Sequence, residues 1–277
     1  MTGRSFRGLY FLIPLALLVA ALAVPGTATE GVEEGLAIAL SAVKALTVPM
    51  VLGGTVLRLF PALGDLTVCL PYCLGLLCGF PAGAQQVAEL YSAGRIEKKQ
   101  AERLLFFSNN CSLPFLFALL GRRGLLLFFL QLILTLPFLI CTVLKRKDLP
   151  RRETSPLSLS AALTGSLRKA GETLVYVCTC IVFFTFWRCW LCTVLRPTGA
   201  WESGLRLFLE LTGGVTAQTG ITLPLLAAGV GFGGMSVHLQ TAGLLSDARL
   251  SCKSHLLGKC FLGLAMGAAG YFLQRGL

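Results

Sequence analysis

Apolar runs separated by short polar stretches make up most of this chain. Several runs approach or exceed the ~20 residues that an α-helix needs to cross a hydrocarbon core of about 30 Å. The runs are Leu9–Val24, Gly35–Phe60, Leu66–Ala84, Gly124–Leu144, Thr173–Leu195, Trp201–Ala217, Ile221–Leu245 and Leu256–Leu273. This pattern predicts an all-α polytopic membrane protein.

Some of these runs are interrupted by residues that weaken a helix. Gly35–Phe60 contains Lys44, Pro49 and the pair Gly53-Gly54. Proline removes a backbone donor, and polar backbone at membrane depth must find partners within the protein. We therefore predict that Gly35–Phe60 is a broken or re-entrant segment.

The polar stretch after Leu66–Ala84 predicts two short amphipathic helices, because its apolar residues recur at helical spacing. Val87, Leu90, Tyr91 and Gly94 share one face, and Ala101, Leu104, Leu105 and Ser108 share the next. Glu97, Lys98, Lys99, Glu102 and Arg103 lie on the wet side.

A basic stretch divides the chain after Gly124–Leu144, with Lys145, Arg146, Lys147, Arg151 and Arg152 in close succession. The positive-inside rule places this stretch in the cytoplasm. The predicted organisation is a first membrane repeat (1–147), a basic cytoplasmic linker (148–160) and a second membrane repeat (161–277).

The two halves show a weak internal repeat. An offset of 152 to 154 places Gly79-Phe80 over Gly231-Phe232 and Arg95 over Arg249, and an offset near 160 places Gly53-Gly54 over Gly213-Gly214. The shared order of spanning helix, interrupted segment, Gly-Phe motif, polar stretch and closing helix predicts two related halves. Interrupted segments at matching places are typical of transporters.

The run Leu9–Val24 is preceded by Arg4 and Arg7, and Ala21-Leu22-Ala23 could be a signal-peptidase site. We favour an uncleaved first transmembrane helix, because the run has a spanning counterpart in the second half.

Composition narrows the class further. Hydrophobic residues make up 55% of the chain and charged residues 13%, about half the usual share of a soluble domain. The net charge of +11 has an ordinary explanation in the polar stretches between spans, so no nucleic-acid partner is expected. The 11 cysteines imply no disulfide framework, and the pair Cys189 and Cys192 is interpreted as helix packing.

Adjacent amides in an apolar run are the first candidate site. Asn109 and Asn110 must find partners, because an unpaired amide in hydrocarbon costs several kcal/mol. They either line a substrate cavity together with Ser108 and Ser112, or join helices through hydrogen bonds.

Other polar groups sit in apolar runs of the second half. Glu210, beside Thr212, is a candidate for proton or cation coupling, or else an interfacial carboxylate. Ser236, His238 and Gln240 are candidates to line a cavity, or His238 joins two helices through a hydrogen bond. No metal site is expected, since only His255 could join His238 as a histidine ligand.

Glycine and proline mark the candidate helix breaks. Gly79, Pro81 and Gly83 in the first half either permit close packing or end half-helices whose N–H groups face an anion. No nucleotide-binding loop, nucleophile elbow or metalloprotease signature is present, so neither an enzyme nor a cofactor is predicted.

Three ordered motifs resemble those of the YlbJ-type sporulation integral membrane proteins of the nucleoside-recognition ("Gate") superfamily. The motifs are Gly79-Phe80-Pro81-Ala82-Gly83-Ala84, then Ala101-Glu102-Arg103-Leu104-Leu105 with Ser108-Asn109-Asn110, then Gly231-Phe232-Gly233-Gly234-Met235-Ser236-Val237-His238-Leu239-Gln240. The similarity covers roughly 35–273. Family members are usually longer, and their commoner form of the asparagine motif, Asn-Asn-Ser-Gly-Pro, differs from residues 108–114 here.

The resemblance implies a function and a location. We expect a multi-pass cell-membrane transporter of a small solute, dipicolinic acid, in the mother-cell or forespore membrane of a spore former. The alternatives are a non-transporting membrane component of a spore-assembly complex, a nucleoside transporter and, more distantly, a membrane-embedded enzyme. Beyond the solute and the lipid bilayer, the sequence identifies neither a coupling ion nor a partner membrane protein.

Overall fold

The computed structural model describes residues 3–59, 66–145, 157–216 and 221–276, and these residues form helices and connecting turns without any strand. In the first half the helices are α1 (Gly3–Ala23), α2 (Pro25–Leu59), α3 (Leu66–Cys78), α4 (Ala82–Ser92), α5 (Lys98–Phe107), α6 (Leu113–Leu120) and α7 (Arg122–Leu144). In the second half they are α8 (Leu159–Leu195), α9 (Gly199–Leu209), α10 (Leu211–Thr216), α11 (Leu223–Phe232), α12 (Gly234–Asp247) and α13 (Lys253–Gly276).

Four helices of the described chain are long and apolar enough to cross a membrane. They lie within α2, α7, α8 and α13. Their outer surfaces carry large apolar side chains, such as Leu52, Ile133, Val175 and Leu264, that are 56 to 77% exposed. Apolar helices of this length with large exposed apolar side chains suit lipid, so the chain is an α-helical membrane protein.

The prediction of a break within Gly35–Phe60 is wrong. Helix α2 runs unbroken through Pro49 and both central glycines. These glycines allow close packing: an added Cβ would lie 3.0 Å from Leu74 at Gly53 and 3.2 Å from the Ser166 hydroxyl at Gly54. Small residues that let helices approach look the same in sequence as residues that end a helix.

Helices α2 and α8 form a long antiparallel pair. Gly31 and Gly35 face the backbone of Phe186 and Val182, where an added Cβ would come within 2.9 and 2.8 Å of their Cα atoms. The spacing of four residues is the small-residue pattern of closely packed membrane helices. This pair forms one wall of the cavity described below.

Three other apolar runs, Leu66–Ala84, Trp201–Ala217 and Ile221–Leu245, are each divided between two helices, and the remaining predicted elements differ mainly at their ends. The two short amphipathic helices are present as α4 and α5, and Gly124–Leu144 lies within α7. Helix α8 begins 14 residues before the predicted Thr173, where the Ser158 hydroxyl accepts a hydrogen bond from the N–H of Ala161. Of the predicted linker 148–160, residues 148–156 lie outside the described residues.

The predicted repeat pairs Gly79 with Gly231, but the two positions do not share a backbone conformation. Positive φ angles that precede a new helix fall instead at Gly79 (81°) and at Gly233 (91°), which are 154 positions apart. Gly53-Gly54 and Gly213-Gly214 do not correspond in this way, because neither pair ends a helix. The organisation into two related halves remains a prediction.

Candidate functional site

The first helix break joins α3 to α4. Gly79 adopts a left-handed conformation, and Pro81 precedes the first turn of α4. An added Cβ at Gly83 would lie 2.2 Å from the carbonyl oxygen of Ser108, and one at Gly75 only 1.9 Å from the same oxygen. Glycine at these positions therefore lets α3 and α4 pack directly against the chain that follows α5.

That chain, residues 108–112, is the second break. The Ser112 hydroxyl caps α6 by accepting a hydrogen bond from the N–H of Phe115 at 3.3 Å. Asn109 donates to the Thr241 hydroxyl at 2.9 Å, and Asn110 donates to the Phe107 carbonyl at 2.7 Å. Both asparagines are fully buried and connect this break to neighbouring elements.

The third break separates α11 from α12 at Gly233. Residues 234–247 are helical, so His238 and Gln240 point in different directions. Gln240 donates to the Ser236 hydroxyl at 3.0 Å, whereas His238 Nδ1 lies 3.2 Å from Nε2 of His255 on α13. Gln240 and His238 therefore face different parts of the protein.

Glu210 marks the fourth break, between α9 and α10. It has an extended backbone, and its carboxylate accepts hydrogen bonds from the N–H groups of Thr212 and Gly213. The break thus falls at the carboxylate, not at the glycine pair that follows it. Glu210 is 3% exposed, which places it inside the protein and not at a wet interface.

An ion pair lies beside Glu210. The buried guanidinium of Arg188 on α8 pairs with Glu34 on α2, and the Glu34 carboxylate also accepts from the Cys189 thiol at 3.3 Å. Arg188 is close enough to Glu210 for their charges to attract. Sequence analysis missed this group, although an arginine within an apolar run is itself a signal of a functional or structural charge.

The largest omission of the sequence analysis is Lys259. It lies within the spanning part of α13 and is fully buried. Its Nζ donates to Asn110 Oδ1 at 3.1 Å and lies 4.9 Å from the centre of the Phe80 ring. Next to it, Gly258 touches α5, since an added Cβ would come within 1.9 Å of the Phe106 carbonyl oxygen.

A cavity of about 440 Å³ lies where three of the breaks, at Gly79, at residues 108–112 and at Glu210, meet α12 and the α2–α8 pair. It is mostly apolar, and its wall includes the aromatic side chains of Phe80 and Phe115. Of the predicted site residues, five line it: Gly79, Ser112, Glu210, Thr212 and Gln240. The other seven do not line it: Pro81, Gly83, Ser108, Asn109, Asn110, Ser236 and His238.

The seven residues that do not line the cavity contact neighbouring helices, and one of them, Asn110, binds Lys259. Within the described ranges, no three His, Cys, Asp or Glu side chains come close enough to hold a metal ion. The arrangement can therefore enclose a small solute between apolar walls with a few polar groups at helix ends. Cavities of this size and composition are typical of small-molecule sites.

No family model, curated protein or solved structure matches this chain.

Proposed function

We propose that this protein is a membrane transporter of a small solute, and that its cargo is dipicolinic acid. The observation that carries the proposal is the cavity of about 440 Å³ at the meeting point of the helix breaks. Interrupted helices around a buried cavity are how many transporters present backbone polar groups to a solute within the membrane.

The wall of the cavity suits a flat aromatic solute. Phe80 and Phe115 contribute aromatic rings to the wall, and Ser112, Thr212 and Gln240 contribute polar side chains. The resemblance of the three motifs to YlbJ-type proteins supports dipicolinate as the cargo and a membrane of a spore former as the location. No nucleotide-hydrolysis motif is present, so the solute gradient or a coupling ion supplies the driving force.

Uptake by purified protein in liposomes tests this proposal. Labelled dipicolinate should enter vesicles that contain the protein and not empty vesicles. Ala45→Trp should block uptake, because Ala45 lines the cavity from α2. Ala37→Trp is the matched control: Ala37 is exposed on the same helix and does not line the cavity.

The alternatives predict different results. A non-transporting component of a spore-assembly complex would show no uptake of any solute while remaining folded. A nucleoside transporter would take up uridine or adenosine and leave dipicolinate outside. Equal dipicolinate uptake by the Ala45→Trp and Ala37→Trp variants would mean that the solute does not pass through this cavity.

A further inference from the structure

Lys259 is a buried amine for which the described residues provide no counter-ion. No carboxylate of the described chain lies within 4 Å of its Nζ, and the one hydrogen bond it makes there is to Asn110. An ammonium has three N–H donors. A charged group in the membrane interior is unfavourable unless it is paired and hydrogen-bonded, so the charged form of Lys259 requires an anion from elsewhere.

Further polar atoms without hydrogen-bond partners occur on the elements that adjoin Lys259. His238 Nε2 has no partner in the described chain, and Nδ1 of the same ring lies 3.2 Å from His255, one helical turn before Lys259. On the stretch that carries Asn110, the hydroxyl of Ser108 and Oδ1 of Asn109 are also buried without partners among the described residues. Buried polar atoms are almost always paired in a native protein, so these atoms have hydrogen-bonding capacity that a polar solute could use.

Lys259 lies directly behind one side chain of the cavity wall. Phe80 lines the cavity, and the centre of its ring is 4.9 Å from the Lys259 Nζ. The Phe80 ring also lies against Gly233, where an added Cβ would come within 3.1 Å of Cζ. A ring that stacks against an ammonium occupies the place where an aromatic solute could make the same cation–π contact.

We propose that Lys259 is the residue that binds a carboxylate of the transported solute, which reaches the ammonium by displacing the Phe80 ring. This inference rests on the proposed function, because it assigns a binding residue to the transported solute. Asn110 orients the ammonium, and the apolar wall of the cavity holds the aromatic ring of the solute.

A binding experiment with a matched pair of lysine variants tests the inference. Lys259→Met removes the charge but retains a side chain of similar length, whereas Lys253→Met removes an exposed lysine at the start of the same helix. Dipicolinate affinity should fall by at least about 10-fold for Lys259→Met, the size of one charge-assisted hydrogen bond. Lys253→Met should bind as the unmodified protein does, and unchanged affinity of Lys259→Met would overturn the inference.

A second measurement uses the unmodified protein, so it does not depend on the folding of a variant. The affinities of dipicolinate, its monoamide and its neutral diamide are compared. Loss of the last carboxylate should lower affinity by at least about 10-fold. Equal affinities with sustained dipicolinate uptake would refute the role of Lys259 and leave the transport proposal intact, whereas absence of uptake and binding by every solute would refute both.

Discussion

Gln131 on α7 forms two reciprocal hydrogen bonds with the backbone of Cys111. Its Oε1 accepts from the N–H of Cys111 at 3.2 Å, and its Nε2 donates to the Cys111 carbonyl at 3.0 Å. The Gln131 side chain thus supplies the two hydrogen bonds that neighbours in a helix would otherwise give to Cys111, which lies in the break between α5 and α6. An amide that satisfies both backbone groups of one buried residue fixes that break against a spanning helix.

We expect Gln131→Leu to destabilise the protein by about 2–4 kcal/mol, since two buried backbone groups lose their partners. Thermal unfolding in detergent measures the change. Ile133→Ala is the control, because Ile133 lies on the same helix and is 66% exposed. A similar loss for both variants would mean that the two hydrogen bonds have no special weight.

The glycines that approach Ser108 should not tolerate alanine. Gly75→Ala or Gly83→Ala places a methyl group within 2.2 Å of the Ser108 carbonyl, so the backbone must shift at a cost of about 2 kcal/mol or more. Gly171→Ala on α8 meets nothing within 4 Å and should raise stability by about 0.5–1 kcal/mol. The unfolding midpoint should therefore fall for Gly75→Ala and Gly83→Ala and rise for Gly171→Ala. The same shift in all three variants would contradict the packing explanation.

The asparagine pair should distinguish helix packing from solute recognition. Asn110→Ala removes the acceptor for Lys259, so we expect transport to fall more than the amount of folded protein. Asn109→Ala removes the contact with Thr241 and should chiefly lower thermal stability. The measurement is flux per amount of folded protein. If this flux equals that of the unmodified protein in both variants, both amides serve helix packing.

The ion pair between α2 and α8 should respond asymmetrically. Glu34→Gln leaves the fully buried Arg188 with only the weaker attraction of Glu210, whereas Arg188→Met leaves a Glu34 carboxylate that is 39% exposed. Glu34→Gln should therefore lower Tm further, by about 5 °C. The double variant should recover part of that loss, and purely additive effects would show that the pair is not coupled.

The basic stretch after α7 should lie in the cytoplasm. In a cysteine-free background, Asp148→Cys should resist a membrane-impermeant thiol reagent added outside cells and react after the membrane is opened. Prompt labelling from outside would reverse the predicted orientation of the whole chain.

The sequence predicts the helices that depend on local pattern. Helices α4, α5 and α7 follow from periodicity or from an uninterrupted apolar run. The start of α8 does not, because its first turns carry Arg168, Lys169 and Glu172 and hydropathy reports only the apolar part of a long helix. The continuity of α2 depends on contacts with Leu74 and Ser166, which a local pattern cannot supply.

The candidate site was only partly predictable for the same reason. Polar residues near Pro and Gly in apolar runs led to Ser112, Glu210 and Gln240, which line the cavity. Lys259 could have been predicted as well, because an ionisable residue within an apolar run such as Leu256–Leu273 indicates a functional site. Its partner Asn110 is 149 positions away, so only the fold brings the two together.

Gly258 determines the register in which α13 rests on α5. The Phe106 carbonyl fills the space that any side chain at position 258 would need, and the next residue along is the buried lysine. If α13 shifted to make room for a larger residue at position 258, the Lys259 ammonium would move away from Asn110. Gly258 therefore sets the position of Lys259 along α5, and a larger residue at 258 should alter solute recognition although it leaves both Lys259 and Asn110 unchanged.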